Sequence, residues 1–319
     1  MPLGEFDVIA RYFSRSCGRS DVLLGVGDDA ALLRPPTGQA LVAATDTLVE
    51  GRHFLPGTPA AAIGHQALAV NLSDLAAMGA EPAWALLSLS MPRVDEHWLA
   101  EFASGLYALA DTHGVALVGG DTVAGPLVIT IEVLGFVPPD LALRRTGARP
   151  GDLVFVSGSP GVAAAGLEQL RSGQASFESP DPRVRRFLRA EPRLALGQAL
   201  RGVATAAMDV SDGLLGDLGK LLVASGVGAR IDLERLPVAA ELSAHALPER
   251  ERYLLHGGDD YELLFTLPPA ALNRVPELVQ AGGCELHCIG AIVAGDQLEC
   301  RRGGQVVEIK GGGYDHFAR

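Results

Sequence analysis

The chain has 319 residues, 48% of them hydrophobic and 20% charged, which is enough for a large buried core and for two domains. Its formal net charge of -12 argues against a nucleic-acid partner, since phosphate backbones are bound through clustered Lys and Arg, and lysine is confined to Lys220 and Lys310. No apolar run reaches the ~20 residues that span a bilayer, and Met1 to Phe13 lacks the basic start and apolar block of a signal peptide, so a cytoplasmic location is the default expectation.

In chain order, the first expected element is an amphipathic helix with Phe6, Ile9, Ala10 and Phe13 on one face. Gly25-Val26-Gly27-Asp28-Asp29-Ala30 has the spacing of a dinucleotide fingerprint, but two carboxylates stand where a pyrophosphate would sit and no strand-turn-helix pattern follows. Adjacent side chains of an extended segment face opposite ways, so at most one of Asp28 and Asp29 is expected to meet a shared ion while the other tethers the turn. A strand over Leu41 to Ala44 runs into Thr45-Asp46-Thr47. A helix is predicted over Pro59 to Met78, with Asp74 on a stripe shared by Ile63, Ala67 and Val70, and with Leu68, Leu72 and Leu75 opposite. A carboxylate on a helix apolar nearly all round is costly unless something positive meets it, so Asp74 reads as a ligand. Another helix is predicted near Glu96 to Thr112, and strands over Val115 to Val118 and Leu127 to Val137 bracket a Gly119-Gly120-Asp121 turn.

Pro138-Pro139 marks a linker, and Arg149-Pro150-Gly151-Asp152 reads as a turn before a strand over Leu153 to Ser157. Helices follow near Gly161 to Arg171, Leu214 to Ser225 and Ala270 to Ala281, with strands near Ala204 to Val210, Ala229 to Leu233 and Glu262 to Leu267. Cys17, Cys284, Cys288 and Cys300 form neither a disulfide framework nor paired knuckles; Cys284, His287 and Cys288 lie in a strand-like stretch and read as packed thiols.

Asp28, Asp29, Asp46, Asp74, Asp121, Asp209 and Asp212 recur where strands or helices meet glycine-rich or polar turns. Singly these segments read as turns or caps, Ser211 or Asp212 serving before Leu214. Together they suggest a cation cage, and oxygen ligands favour Mg²⁺ or Ca²⁺. With so little lysine, bound metal is the economical partner. There is no G-x-x-x-x-G-K-[ST] loop and no protein-kinase signature, so phosphoryl transfer here would rest on Mg²⁺, backbone N–H groups and arginine, with Arg144-Arg145 the best-placed basic pair.

Gly-Val-Gly-Asp-Asp-Ala (25–30), Thr-Asp-Thr-Leu-Val-Glu-Gly-Arg-His-Phe (45–54), Asn-Leu-Ser-Asp-Leu-Ala-Ala-Met-Gly-Ala (71–80), Gly-Gly-Asp-Thr (119–122), Asp-Val-Ser-Asp-Gly-Leu (209–214), Gly-Gly-Asp-Asp-Tyr-Glu-Leu (257–263) and Gly-Tyr-Asp-His-Phe (313–317) resemble the thiamine-monophosphate kinase family, within the aminoimidazole-ribonucleotide-synthetase superfamily. The likeness runs in order from Gly4 to Phe317. It implies an α+β fold of two domains: an N-terminal α+β domain over 1–138 that binds ATP and Mg²⁺ and pairs into a barrel in a homodimer, then an α/β domain over 148–319.

Carried over residue by residue, the resemblance assigns Mg²⁺ ligation to Asp29, Thr45, Asp46, Asp74, Asp121, Asp209 and Asp212, and ATP contacts to Tyr107, Gly120, Asp121, Arg145 and Ser211. Thiamine monophosphate would meet His53, Asp259 and Tyr314, the last following Gly311-Gly312-Gly313 as a hinged flap. Asp46, Asp121 and Arg145 would carry catalysis. Relatives often have a hydroxyl residue in place of Ala44 and Glu in place of Asp259, whose shorter arm leaves direct or water-mediated contact open. Cys17 lies outside the glycine-rich loop that a selenophosphate synthetase would need. The implied reaction converts ATP and thiamine monophosphate to ADP and thiamine diphosphate, with no nucleic acid and no membrane involved.

Overall fold

The computed structural model describes residues 3–15 and 18–309, and internal packing divides them into two units. The first takes in residues up to Leu75 and Ala80–Asp140; the second takes in Ala76–Gly79 and the chain from Leu141 onwards.

The first unit begins with helix α1 (Glu5–Val8), which continues as a π-helical turn over Ile9–Phe13. Its buried contacts come from Val8 and Phe13; Phe6 is 80% exposed, so the expected apolar face is narrower than the spacing indicated. Strands β1 (Val22–Leu24) and β2 (Leu32–Leu33) pair antiparallel, and no helix intervenes at Gly25 to Ala30. Then follow β3 (Ala40–Val49), α2 (Ala60–Ala77), β4 (Glu81–Met91), α3 (Glu96–His113), β5 (Ala116–Ala124) and β6 (Val128–Val137). They build a 4-stranded sheet in the order β3-β6-β4-β5, antiparallel except for the β4–β5 pair. Strand β4 was absent from the predicted elements. From Ala85 to Met91 it alternates as a half-buried strand does, with Ala85, Leu87, Leu89 and Met91 buried and Leu86, Ser88 and Ser90 more exposed, a pattern that sequence reasoning missed.

Helix α2 is buried nearly all round, including Gln66, Asn71 and Ser73, with Asp74 partly exposed. It meets α3 backbone to backbone. A Cβ on Gly64 would stand 2.1 Å from the Phe102 carbonyl oxygen, and one on Gly105 would stand 1.9 Å from that of Ala61. Glycine is needed there for approach. Asp95 caps α3 by accepting from the His97 and Trp98 N–H groups, and Gly114 ends it at φ 65.

In the second unit the order is β7 (Leu153–Ser157), α4 (Val162–Arg171), α5 (Pro182–Leu188), α6 (Leu194–Ala199), β8 (Ala206–Val210), α7 (Leu214–Ser225), β9 (Gly228–Asp232), α8 (Leu247–His256), β10 (Glu262–Leu267), α9 (Val275–Gly282), β11 (Leu286–Val293), β12 (Leu298–Arg302) and β13 (Gln305–Val307). The strands form a 7-stranded sheet, β13-β12-β9-β11-β7-β10-β8, in which only β12 and β9 run parallel. Val154, Val156, Met208, Leu218, Leu264 and Ile289 anchor its core. The helix expected over Ala270 to Ala281 is split: a 3₁₀ stretch covers Pro269–Arg274, and α9 starts at Val275. Pro276 explains the break, since proline suits a helix's first turn and not its interior. Cys284 and Cys288 are half-buried and Cys300 is buried, all as free thiols. Among the described residues no helix is long and apolar enough to cross a membrane.

Gly105→Ala should destabilise the first unit by about 1–3 kcal/mol, because the added methyl has backbone to displace. Both tryptophans, Trp84 and Trp98, lie in that unit, so intrinsic fluorescence in urea follows it, and an unshifted midpoint would refute the close-contact reading.

Candidate active site

One face of the four-stranded sheet is polar. Register places Thr45, Glu132, Leu86 and Gly119 in one row across it, and Thr47, Thr130, Ser88 and Asp121 in the next. The Thr47 and Thr130 hydroxyls share a 2.8 Å hydrogen bond, and the Thr45 hydroxyl donates to the Ile131 carbonyl at 3.1 Å. This face forms the floor of a cleft of about 920 Å³, whose rim carries Asp28 and Asp29. The Asp28 carboxylate accepts from the Asp29 N–H at 2.8 Å, tethering the turn. No Lys or Arg appears among the described residues that line the cleft.

Gly119, Gly120 and Asp121 do not form the turn expected between two strands. They lie inside β5, just after a bulge at Val118, which the partner strand skips between Ala85 and Leu86. The bulge re-aims the strand so that Asp121 faces the cleft. Gly120 has φ +149, and a Cβ there would stand 1.8 Å from the Leu87 carbonyl oxygen, so only glycine lets the strands close.

Asp46 also sits within a strand, in the middle of β3. Alternation turns Thr45 to the cleft and Asp46 to the other face of the sheet. There the Asp46 N–H donates to Asn71 Oδ1 at 2.9 Å, and Asn71 Nδ2 donates to the Ala67 carbonyl at 2.9 Å. Asp74, three residues beyond Asn71, lies on the same side of α2. The first-unit acids therefore divide between two faces of the sheet. His53 follows β3, its Nδ1 accepting from the Val49 N–H at 3.0 Å.

In the second unit, Asp209 is buried near the end of β8 and leads into Ser211-Asp212-Gly213. The backbone N–H groups of Ser211 and Asp212 both donate to Asp217 Oδ2 at 2.9 Å. Lys220 Nζ meets Asp212 at 2.5 Å and Asp217 at 2.8 Å. Lysine was not expected as a partner, yet this one spans two carboxylates. Burial raises the pKa of fully buried Asp217 against the pull of Lys220. Burial also opposes the Lys220 charge, but the bonds to Asp212 and Asp217 prevail and its pKa is raised.

Against this loop lies Gly257-Gly258-Asp259. The Asp259 N–H donates to the Ser211 carbonyl at 3.0 Å and the Tyr261 N–H to that of Val210 at 2.9 Å. Burial pushes the Asp259 carboxyl up to about 6, with Arg171 and Tyr261 acting in the opposite direction. Arg145 is exposed, and its carbonyl accepts from Ser225 Oγ at 2.9 Å at the end of α7.

The structure thus gathers Asp29, Thr45, Gly120 and Asp121 on one cleft, Asp46 and Asp74 on the α2 side of the same sheet, and Asp209, Ser211, Asp212 and Asp259 on one loop pair. Tyr107 does not line the cleft. Its hydroxyl donates to the Phe13 carbonyl at 3.0 Å, its ring lies 4.6 Å from the Arg15 guanidinium, and burial pushes its pKa up to about 12. Tyr314 lies outside the described residues. Sequence reasoning missed Asn71, Glu132, Asp217 and Lys220. Asn71 was detectable as one of several polar residues on an apolar helix, one turn before Asp74, and Asp217 and Lys220 as charges one turn apart in the helix after Ser-Asp-Gly.

Among the described residues no three His, Cys, Asp or Glu side chains stand close enough together to hold a metal ion. Carboxylates and hydroxyls on a wall free of Lys and Arg still fit Mg²⁺ held in the open manner, in which one or two carboxylates share the ion with ligand phosphates.

Comparison with known proteins adds the family. Residues 27–137 match the model of the AIR synthase related protein N-terminal domain, and residues 149–302 that of the C-terminal domain. Thiamine-monophosphate kinase of Escherichia coli K12 is 50% identical over 325 residues, covering 100% of this chain and 99% of its own, and that of Haemophilus influenzae is 42% identical over 99% of each. The crystal structure of thiamine-monophosphate kinase from Stenotrophomonas maltophilia K279a superposes with a TM-score of 0.88 at 42% identity, covering 96% of this chain and 99% of that one. The structure of AaThiL complexed with AMPPCP and TMP does so with 0.78 at 32% identity, covering 89% of each. With its mixed α/β fold of two domains and these full-length likenesses, the chain belongs to the thiamine-monophosphate kinase family of AIR-synthase-related proteins.

Proposed function

We propose that the chain phosphorylates thiamine monophosphate with ATP, giving thiamine diphosphate and ADP by direct in-line transfer. The observation that carries this is full-length family membership at 50% identity, together with a relative of the same fold complexed with AMPPCP, an ATP analogue, and TMP. The acceptor phosphate has a second pKa near ~6 and is already an anionic nucleophile at neutral pH, so no side chain is asked to act as general base. What the protein must supply is alignment and relief of repulsion between two polyanions.

Asp29, Thr45 and Asp121 on the cleft, Asp46 and Asp74 beside α2, and Asp209 and Asp212 in the second unit would hold Mg²⁺, which when bound supplies the positive charge that screens the phosphates. Tyr107, Gly120, Asp121, Arg145 and Ser211 contact ATP in this reading. Arg145 is exposed, and its planar guanidinium presents a fork of N–H donors that matches phosphate oxygens. His53, Asp259 and Tyr314 contact the acceptor. The backbone bond at His53 Nδ1 leaves Nε2 as the N–H tautomer in the neutral ring, a donor suited to a phosphate oxygen. We further infer a homodimer in which the four-stranded sheets of two protomers pair into a barrel. Strands β3 and β5 are both outer strands and carry exposed Leu41 and Val123, which supports that pairing.

Purified protein with Mg-ATP and thiamine monophosphate should form thiamine diphosphate. Asp46→Asn and Asp121→Asn should each lower turnover by roughly 100-fold or more with circular dichroism unchanged, since each removes a charge that offsets the metal's; wild-type rates in both at saturating Mg²⁺ would sink the metal assignment. Incubation with γ-labelled ATP alone should leave no covalent label, because the acceptor needs no relay through the protein. A stoichiometric label that chases into product would overturn direct transfer. Sedimentation equilibrium should give twice the 33.3 kDa chain mass, and a monomer at assay concentration would rule out the barrel.

A further inference from the structure

Among the described residues, Asp259 (φ 65) and Tyr261 (φ 53) are the non-glycine positions with left-handed backbone. Such a conformation is unfavourable for residues bearing a Cβ, and two flanking one residue persist only when the surroundings hold them. The holding groups are Asp260 and Glu262. The fully buried Asp260 carboxylate accepts from the Gly161 N–H at 2.6 Å and the Ala163 N–H at 3.4 Å, at the start of α4. Glu262, 1% exposed, accepts from Ser157 Oγ at 2.5 Å and from Arg193 through two bonds of 2.7 and 2.6 Å, and also from Arg186. Arg186 reaches back to the Asp260 carbonyl at 3.0 Å.

These anchors run to α4, Arg186 and Arg193, whereas the Asp259 N–H bonds the Ser211 carbonyl at 3.0 Å. Glycines on both sides press the segments together: a Cβ on Gly258 would stand 2.5 Å from the Ser211 carbonyl oxygen, and one on Gly213 2.8 Å from the His256 carbonyl carbon. The kink therefore has little freedom to shift once its anchors are made.

We propose that Asp260 and Glu262 are positioning residues for acceptor recognition: fixed to the α4 N-terminus and to Arg186 and Arg193, they impose the left-handed kink that places the Asp259 carboxylate beside the Ser211–Asp212 loop. The proposal rests on the reading of Asp259 as an acceptor contact. Neither residue touches substrate. Both act through Asp259.

Steady-state kinetics of the full chain, varying thiamine monophosphate and ATP separately, test it. Asp260→Ala should raise KM for thiamine monophosphate roughly 10- to 100-fold and leave KM for ATP unchanged. Asp260→Asn should recover part of the loss, since one carbonyl oxygen keeps the bond from Gly161. The double variant Asp259→Ala/Asp260→Ala should be no worse toward thiamine monophosphate than Asp259→Ala alone. Equal rises in both KM values, or multiplying effects in the double variant, would mark a general structural role and overturn the proposal. A raised KM in Asp259→Ala with none in Asp260→Ala overturns the proposal alone, whereas no change in Asp259→Ala removes the acceptor reading and the proposal with it. If Asp260→Ala does not fold, Asp260→Asn and Glu262→Gln carry the same comparison.

Discussion

Backbone N–H groups aimed at side-chain oxygens set the geometry of the acidic loops. Asp217 takes the N–H groups of Ser211 and Asp212, Asp260 takes those of Gly161 and Ala163, Asn71 takes that of Asp46, and Asp28 takes that of Asp29. Where the acceptor is an ionised carboxylate such a bond is stronger than one between neutral groups, and a bond of either kind resists loss where water is excluded. Asp46 and Asp212 keep their side chains for other partners because a different residue satisfies their backbone.

Such a design concentrates negative charge, and the remaining question is what opposes it. In the second unit Arg186 and Arg193 neutralise Glu262, and Lys220 meets Asp212 and Asp217. The cleft of the first unit has no basic residue among its described lining, so its wall suits a divalent cation brought in with phosphate oxygens.

Glycine supplies the other constraint. At Gly64 and Gly105 it lets α2 and α3 touch; at Gly120 it lets β5 close on β4; at Gly213 and Gly258 it joins the two acidic loops of the second unit. In every case a Cβ would meet main chain, which cannot swing aside as a side chain can. Within the acidic motifs, Gly120, Gly213 and Gly258 are there for this close approach, whereas Gly27 meets nothing within 4 Å and serves its positive φ of +122.

Much of this was legible beforehand. The bounds of β7, α7 and β10 followed from apolar patterning and turn residues, the burial of α2 around Asp74 from its composition, and the family from ordered motifs over nearly the whole chain. These depend on local chemistry, which a sequence states directly. Tertiary structure decided the rest. Asp46 and Gly119-Gly120-Asp121 read as strand-end turns because Asp and Gly disfavour strands, but pairing with β6 and β4 carried the strands through them. That pairing then sent Thr45 and Asp46 to opposite faces. Lys220 stood eight residues from Asp212 with nothing to join them until α7 and the buried Asp217 brought both together. Local propensity acts through neighbours along the chain, whereas register, bulges and the reach of a side chain across a turn are set by contacts between segments, and only folding brings those segments together.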